Sequence, residues 1–172
     1  MIPETSENRT IELYECEQFP YKWKFRRNLA EHITAVDSTI LHHNNKWWVF
    51  TNIEEHPGAM SLDELFIFYT DDIINGTLQP HPLNPVVSDV RSARPAGRIF
   101  PVNGKLMRPS QICAPYYGWG TSINEITELS ETSYEEKPVT TIKPDLTQRI
   151  AGVHTISIAN DLAVIDALFI RK

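Results

Sequence analysis

A chain of 172 residues with 41% hydrophobic residues is long enough for one domain with a real core and too apolar for a disordered segment. Its net charge of -6 disfavours a general attraction to nucleic acid. No run approaches the apolar length of a membrane span, and the polar start has no apolar signal-peptide region, which makes a cytoplasmic location the default expectation.

Residues 1–10 read as a polar tail and residues 11–172 as a single domain. Ile11 to Cys16 mostly alternates apolar and polar residues, the mark of a half-buried strand. Phe19-Pro20 interrupts it, Tyr21 to Phe25 reads as a second strand, and Arg26 to His32 as a polar connection with or without a short helical turn. Thr39 to His42 and Lys46 to Thr51 form a hairpin about Asn44-Asn45, because Asn tolerates left-handed φ. The adjacent Trp47 and Trp48 point to opposite faces, so both faces of this sheet should be covered. Ile53 to Leu62 is a loop containing Pro57-Gly58, Glu64 to Thr70 a strand, and Thr77 to Pro80 the start of a short outer strand.

His81 to Gln111 is stiffened by prolines and cannot be helical. It concentrates Arg91, Arg94, Arg98 and Arg108 around Asp89. Within it, Arg98 to Val102 and Lys105 to Arg108 flank Asn103-Gly104, the strongest short hairpin signal. Tyr117 to Leu129 and Tyr134 to Ile142 are further strands, and Val153 to Ile158 with Leu162 to Asp166 closes a last hairpin. Cys16 and Cys113 lie in no CxxC or Cys/His spacing, which gives zinc little support and leaves their disulfide state open.

The hairpins beginning near Asp37, Arg94 and His154 share one design, and the first two are each followed by two more strands. A period of roughly fifty residues with four strands is that of a β-propeller blade, with an antiparallel sandwich as the alternative. Only about three blades can be counted, too few for the usual closed ring. The expectation is therefore an all-β, incomplete propeller of four-stranded antiparallel blades. Its exposed edge invites pairing with a second chain.

One set of motifs carries a resemblance. The set is Val36-Asp37-Ser38-Thr39, Lys46-Trp47-Trp48-Val49-Phe50-Thr51, Asp63-Glu64-Leu65, His81-Pro82-Leu83-Asn84-Pro85, Ser92-Ala93-Arg94-Pro95-Ala96-Gly97, Arg108-Pro109-Ser110-Gln111 and Gly152-Val153-His154-Thr155. It resembles the N-terminal domain of glucosamine inositolphosphorylceramide transferases and of formyltransferase-like bacterial relatives. The resemblance implies the five-bladed propeller superfamily of arabinanases, levansucrases and invertases. Measured against that family, the 172 residues are expected to lack the first blade's opening strands and an attached glycosyltransferase domain.

In a propeller the first strand of each blade lines the axis, which would gather Asp37, Arg94 and His154. A hydrolase of the implied superfamily needs carboxylates from different blades. Asp37 stands where the supporting aspartate would, but Arg94 falls where an acid is expected, and arginine donates no proton near neutral pH. Asp89 and Glu125 remain as further catalytic candidates, with the catalytic set incomplete. Guanidinium groups suit carboxylate or phosphate instead. The favoured reading is a carbohydrate-recognition or accessory domain associated with glycosyl transfer. It would bind an acidic or phosphorylated sugar through Arg91, Arg94, Arg108 and Gln111, with Trp47 or Trp48 as a stacking surface unless both belong to the core. His154 is the candidate ligand for an axial metal ion, as the resemblance implies, or a structurally hydrogen-bonded histidine. The alternatives are a glycan-active enzyme and a non-catalytic scaffold in which Asp89 pairs with the arginines. Glu135-Glu136 reads as a solvated strand edge. Expected partners are a sugar or sugar phosphate, a glycosyltransferase domain or a second chain, with no nucleic acid.

Overall fold

The computed structural model describes residues 1–56 and 58–171; Pro57 of the expected loop and Lys172 lie outside them. The described chain is all-β. A first antiparallel pair joins β1 (Thr10–Gln18) to β2 (Lys22–Glu31). The second sheet runs β3 (Ala35–His43), β4 (Lys46–Ile53), β5 (Glu64–Thr70) and β6 (Gln79–Pro80), with β7 (Val87–Ser88) also on β5. The third runs β8 (Phe100–Val102), β9 (Lys105–Ile112), β10 (Gly120–Leu129) and β11 (Tyr134–Ile142). Short pairs follow: β12 (Ile150–Gly152) with β15 (Leu168–Phe169), and β13 (Ile156–Ala159) with β14 (Leu162–Ile165).

The sheets stack through both faces. Alternation along a strand sends successive side chains to opposite sides, and β4 uses both. Val49 and Trp47 pack toward Ile11, Leu13 and Leu29 of the first pair, while Trp48 and Phe50 pack toward Ile126 and Tyr134 of the third sheet and Ile99 just before it. The far face of the third sheet then meets the last hairpin, where Phe100, Met107 and Ile123 enclose Ile156. The adjacent tryptophans therefore face opposite layers, as their spacing implied. No closed sheet forms among the described residues.

One local expectation is corrected. Arg26 to His32 is not a connection: β2 continues to Glu31, paired with β1 from Thr10↔Glu31 to Gln18↔Lys22. Its polar side chains mark a strand with one wet face, which local polarity alone does not distinguish from a loop. The start of the chain is also held in place, because the Met1 amino group donates to the Tyr14 carbonyl at 2.7 Å and Ile2 joins the core beneath β1.

The starts of the second sheet and of the last hairpin both meet the segment that leads into the third sheet. Thr39 Oγ1 of β3 donates to the Gly97 carbonyl at 3.2 Å, and the Ile156 amide of β13 donates to the Ala96 carbonyl at 2.8 Å. Residues 94–97 run beside β9, with the Gln111 amide on the Arg94 carbonyl at 2.7 Å. Three distant stretches of sequence, near residues 39, 97 and 156, are thus neighbours in space.

Candidate functional site

Asp37 sits where β3 breaks register with β4, in the irregularity between Val36 and Thr39. Its φ of 51° is left-handed, a costly state for a residue with a side chain. Bulges of this kind re-aim a side chain out of the pleat. Here Asp37 Oδ2 accepts from Arg94 Nε at 2.6 Å and from Gln111 Nε2 at 2.8 Å. The Asp37 amide is in turn held by Glu4 Oε2 at 2.9 Å. Beside the bulge, Asn52 pairs with Val36 and is fully buried, yet neither polar atom of its side chain has a partner. An unpaired buried amide is expensive, so the structure carries an unmet polar demand next to Asp37.

Arg94 extends the set. Its Nη1 donates to the Ser61 carbonyl at 3.0 Å, and its guanidinium carbon lies 5.0 Å from the centre of the Tyr117 ring. Tyr117 meets His154 edge-on with centres 5.6 Å apart. His154 Nδ1 pairs with Asp166 Oδ2, while the other Asp166 oxygen accepts from the His154 and Thr155 amides at 2.9 and 2.7 Å. Asp37, Arg94, Tyr117, His154 and Asp166 therefore form one continuous polar and aromatic chain of contacts beside the junction of the segments near residues 39, 97 and 156. Arg94 is mostly covered, whereas His154 and Asp166 keep about a third of their side chains open. Small clefts of about 220 and 260 Å³ flank the chain, one touching Asp37 and Thr155, the other Tyr117, His154 and Asp166.

Electrostatics follow the contacts. Burial pushes the Tyr117 hydroxyl up, only partly opposed by Arg94, so it stays protonated. Burial also raises the Cys113 thiol. For Asp166, burial favours the neutral acid, but the Thr155 and His154 amides and the His154 ring outweigh it, and the carboxyl falls below its usual range.

The other candidate residues go elsewhere. The four arginines do not gather around Asp89. Asp89 takes only Arg91, through Nε and Nη2 at 3.0 Å each, on the wall of a separate cleft of about 920 Å³. Arg108 is 1% exposed and pairs through Nε and Nη2 with the two oxygens of Glu136, at 2.7 and 2.6 Å. Burial penalises its charge, and the Tyr134 hydroxyl and Glu136 carboxylate more than offset that, holding its pKa above the ordinary value. Glu136 is consequently no solvated edge residue, because its side chain turns inward to meet the guanidinium. Glu125 is tied to Lys105 and Lys137. Asp37, Asp89 and Glu125 thus belong to three different ion pairs. Trp47 packs on the core with its ring 4.6 Å from His42 and lines a fourth cleft with Trp23 and Arg98. Cys16 is exposed and Cys113 buried, both as free thiols. Among the described residues no group of three metal-ligating side chains forms, and His154 has Asp166 as its carboxylate neighbour.

Sequence reasoning missed Tyr117, Asp166 and Glu4. For Asp166 a signal existed: with Ile156 opposite Ile165, the next residue of the return strand falls beside Thr155. Tyr117 and Glu4 lie in irregular segments whose position no periodicity encodes.

A family model described as glucosamine inositolphosphorylceramide transferase 1, N-terminal, matches residues 1–152. Asp37, Arg94, Gln111 and Tyr117 fall inside that match, and His154 and Asp166 just beyond it. The chain is similar to glucosamine inositolphosphorylceramide transferase 1 of Arabidopsis thaliana, 35% identical over 81% of the chain and 18% of the relative. It is also similar to the proteins of that name from Oryza sativa subsp. japonica and subsp. indica, each 30% identical over 81% of the chain and 19% of the relative. The chain therefore spans less than a fifth of these relatives' length. No solved structure matches.

Proposed function

This chain belongs to the family of glucosamine inositolphosphorylceramide transferase N-terminal domains, and from that premise we propose that it is an accessory, saccharide-recognising module of a glycosyl-transfer protein. The sheets are read as consecutive blades of an open arc of a five-bladed propeller, with the meeting line of the segments near residues 39, 97 and 156 as its axis. The observation that carries the reading is the Asp37–Arg94–Gln111 set, continued through Tyr117 to His154 and Asp166, at that meeting line.

The ligand class follows from the groups. Tyr117 offers an aromatic face, and half of it is exposed. Such faces hold the apolar side of a sugar ring while polar groups fix its orientation. Arg94 is the guanidinium of the cluster, suited to a phosphate or carboxylate substituent. Asp37 already neutralises it in part, so its role is to select an anionic substituent rather than to create a strongly positive site. The relatives' name joins glucosamine to an inositol phosphate lipid, which makes inositol phosphate the natural probe.

Calorimetric titration of inositol 1-phosphate and of myo-inositol into the wild-type protein and Arg94→Ala tests this. The expected result is a preference for the phosphate in the wild type and a loss of at least tenfold, about 1.4 kcal/mol, in the variant. Equal binding of both probes by both proteins, or no binding at all, contradicts it.

A further inference from the structure

The cleft of about 920 Å³ between the segment around Val86 to Ser92 and the outer strands of the third sheet lies apart from the axial cluster. Its size falls in the range of ligand-binding pockets. Its floor is polar although it is deeply covered: Asn124 is 2% and Ser122 5% exposed. Asn124 Nδ2 donates to Ser110 Oγ at 2.8 Å and to the Arg108 carbonyl at 3.3 Å, and Ser122 Oγ donates to Asn124 Oδ1 at 3.1 Å. The amide hydrogens are thereby committed, and the floor is held rigid while the Ser122 oxygen keeps lone pairs to accept with.

The walls carry matched charge. Asp89 is paired with Arg91, whose hydrogen bonds hold its carboxyl below the usual range. Glu136 is paired with Arg108. That leaves one exposed group of each sign, Lys143 and Glu135, outside any ion pair among the described residues. A cleft with its charges matched internally recognises hydroxyl groups rather than net charge. The half-buried indole of Trp119 lines the same cleft, with the Lys143 ammonium 5.9 Å from its centre.

We propose that this cleft is a second saccharide site, off the axis, that takes an uncharged sugar ring against Trp119 with its hydroxyls toward Ser122 and the Asp89–Arg91 pair. It stands on its own geometry and does not require the axial reading. In such a site the module would hold two parts of one glycan, or a glycan and an anionic head group, at separate places.

The test uses the ¹⁵N-labelled protein titrated at millimolar concentrations with methyl α-mannoside, N-acetylglucosamine, myo-inositol and inositol 1-phosphate. The Trp119 indole N–H is assigned by its loss in Trp119→Phe, and the Asn124 side-chain amide serves as a second reporter. The expected result is that at least one neutral sugar shifts both reporters. Its affinity, read at Asn124, should fall at least tenfold in Trp119→Ala, or in Trp119→Leu if the alanine variant does not fold. Shifts at these reporters that require the phosphate, that survive removal of the indole undiminished, or that occur with no neutral sugar overturn the proposal. An axial site that fails leaves these reporters unaffected, so the two readings fail separately.

Discussion

Arg108 shows how a residue chosen for its charge can serve the fold. Its guanidinium is covered, bonded to both oxygens of Glu136 and to the Ser92 and Ala93 carbonyls. Removing one partner of a buried pair strands the other charge and costs about 3–5 kcal/mol, while replacing both by apolar groups of similar volume is often neutral. Glu136→Gln should therefore lower the urea-unfolding free energy by about 3 kcal/mol, and Arg108→Met with Glu136→Leu should recover most of that loss. A loss below 1 kcal/mol in the single variant would contradict the buried-pair account. The sequence showed four arginines near one aspartate, but it could not show that Arg91, Arg94 and Arg108 each take a different carboxylate, because Asp37 and Glu136 lie 57 and 28 residues from their partners. Asp37 itself was legible as the start of a hairpin. Its bulge and positive φ, which aim it at Arg94, were not.

At the scale of strands, turn chemistry and alternation encoded most of what formed. Asn44 and Asn45 adopt φ of 52° and 59°, and Asn103-Gly104 adopts 51° and 78°, the left-handed pairs a two-residue hairpin needs. Tyr134 to Ile142 and Glu64 to Thr70 have the boundaries that their patterns suggested. What lacked a local signal was contact between sheets. Gly97 is the clearest instance: its φ is 132°, and a Cβ there would stand 2.1 Å from the Ile156 carbonyl oxygen. The backbone leading into the third sheet approaches the last hairpin at a distance only glycine permits. Gly97→Ala is expected to separate that junction, destabilising the protein and raising hydrogen-exchange rates in β13 and β14 above those in β4 and β5. Unchanged exchange in β13 would show that the junction does not depend on this contact.

For the whole molecule, stacking through both faces makes each sheet the support of its neighbours, and the same stacking sets the segments near residues 39, 97 and 156 side by side. The last hairpin is held on one side by Ile156, while Leu162, Val164 and Ile165 on β14 stay exposed. The all-β class and its antiparallel hairpins were readable from turn spacing, whereas the number of strands in each sheet was not, since the second sheet holds five and the third four. The central claim is that Asp37, Arg94, Tyr117 and His154, drawn from segments far apart in sequence, serve as one contact surface for a sugar phosphate. Amide chemical-shift mapping during titration with inositol 1-phosphate tests it most directly. The account predicts that the amides of these four residues move together on a single binding curve. Shifts confined to Arg91 and Arg98, or independent curves for Asp37 and His154, would contradict it.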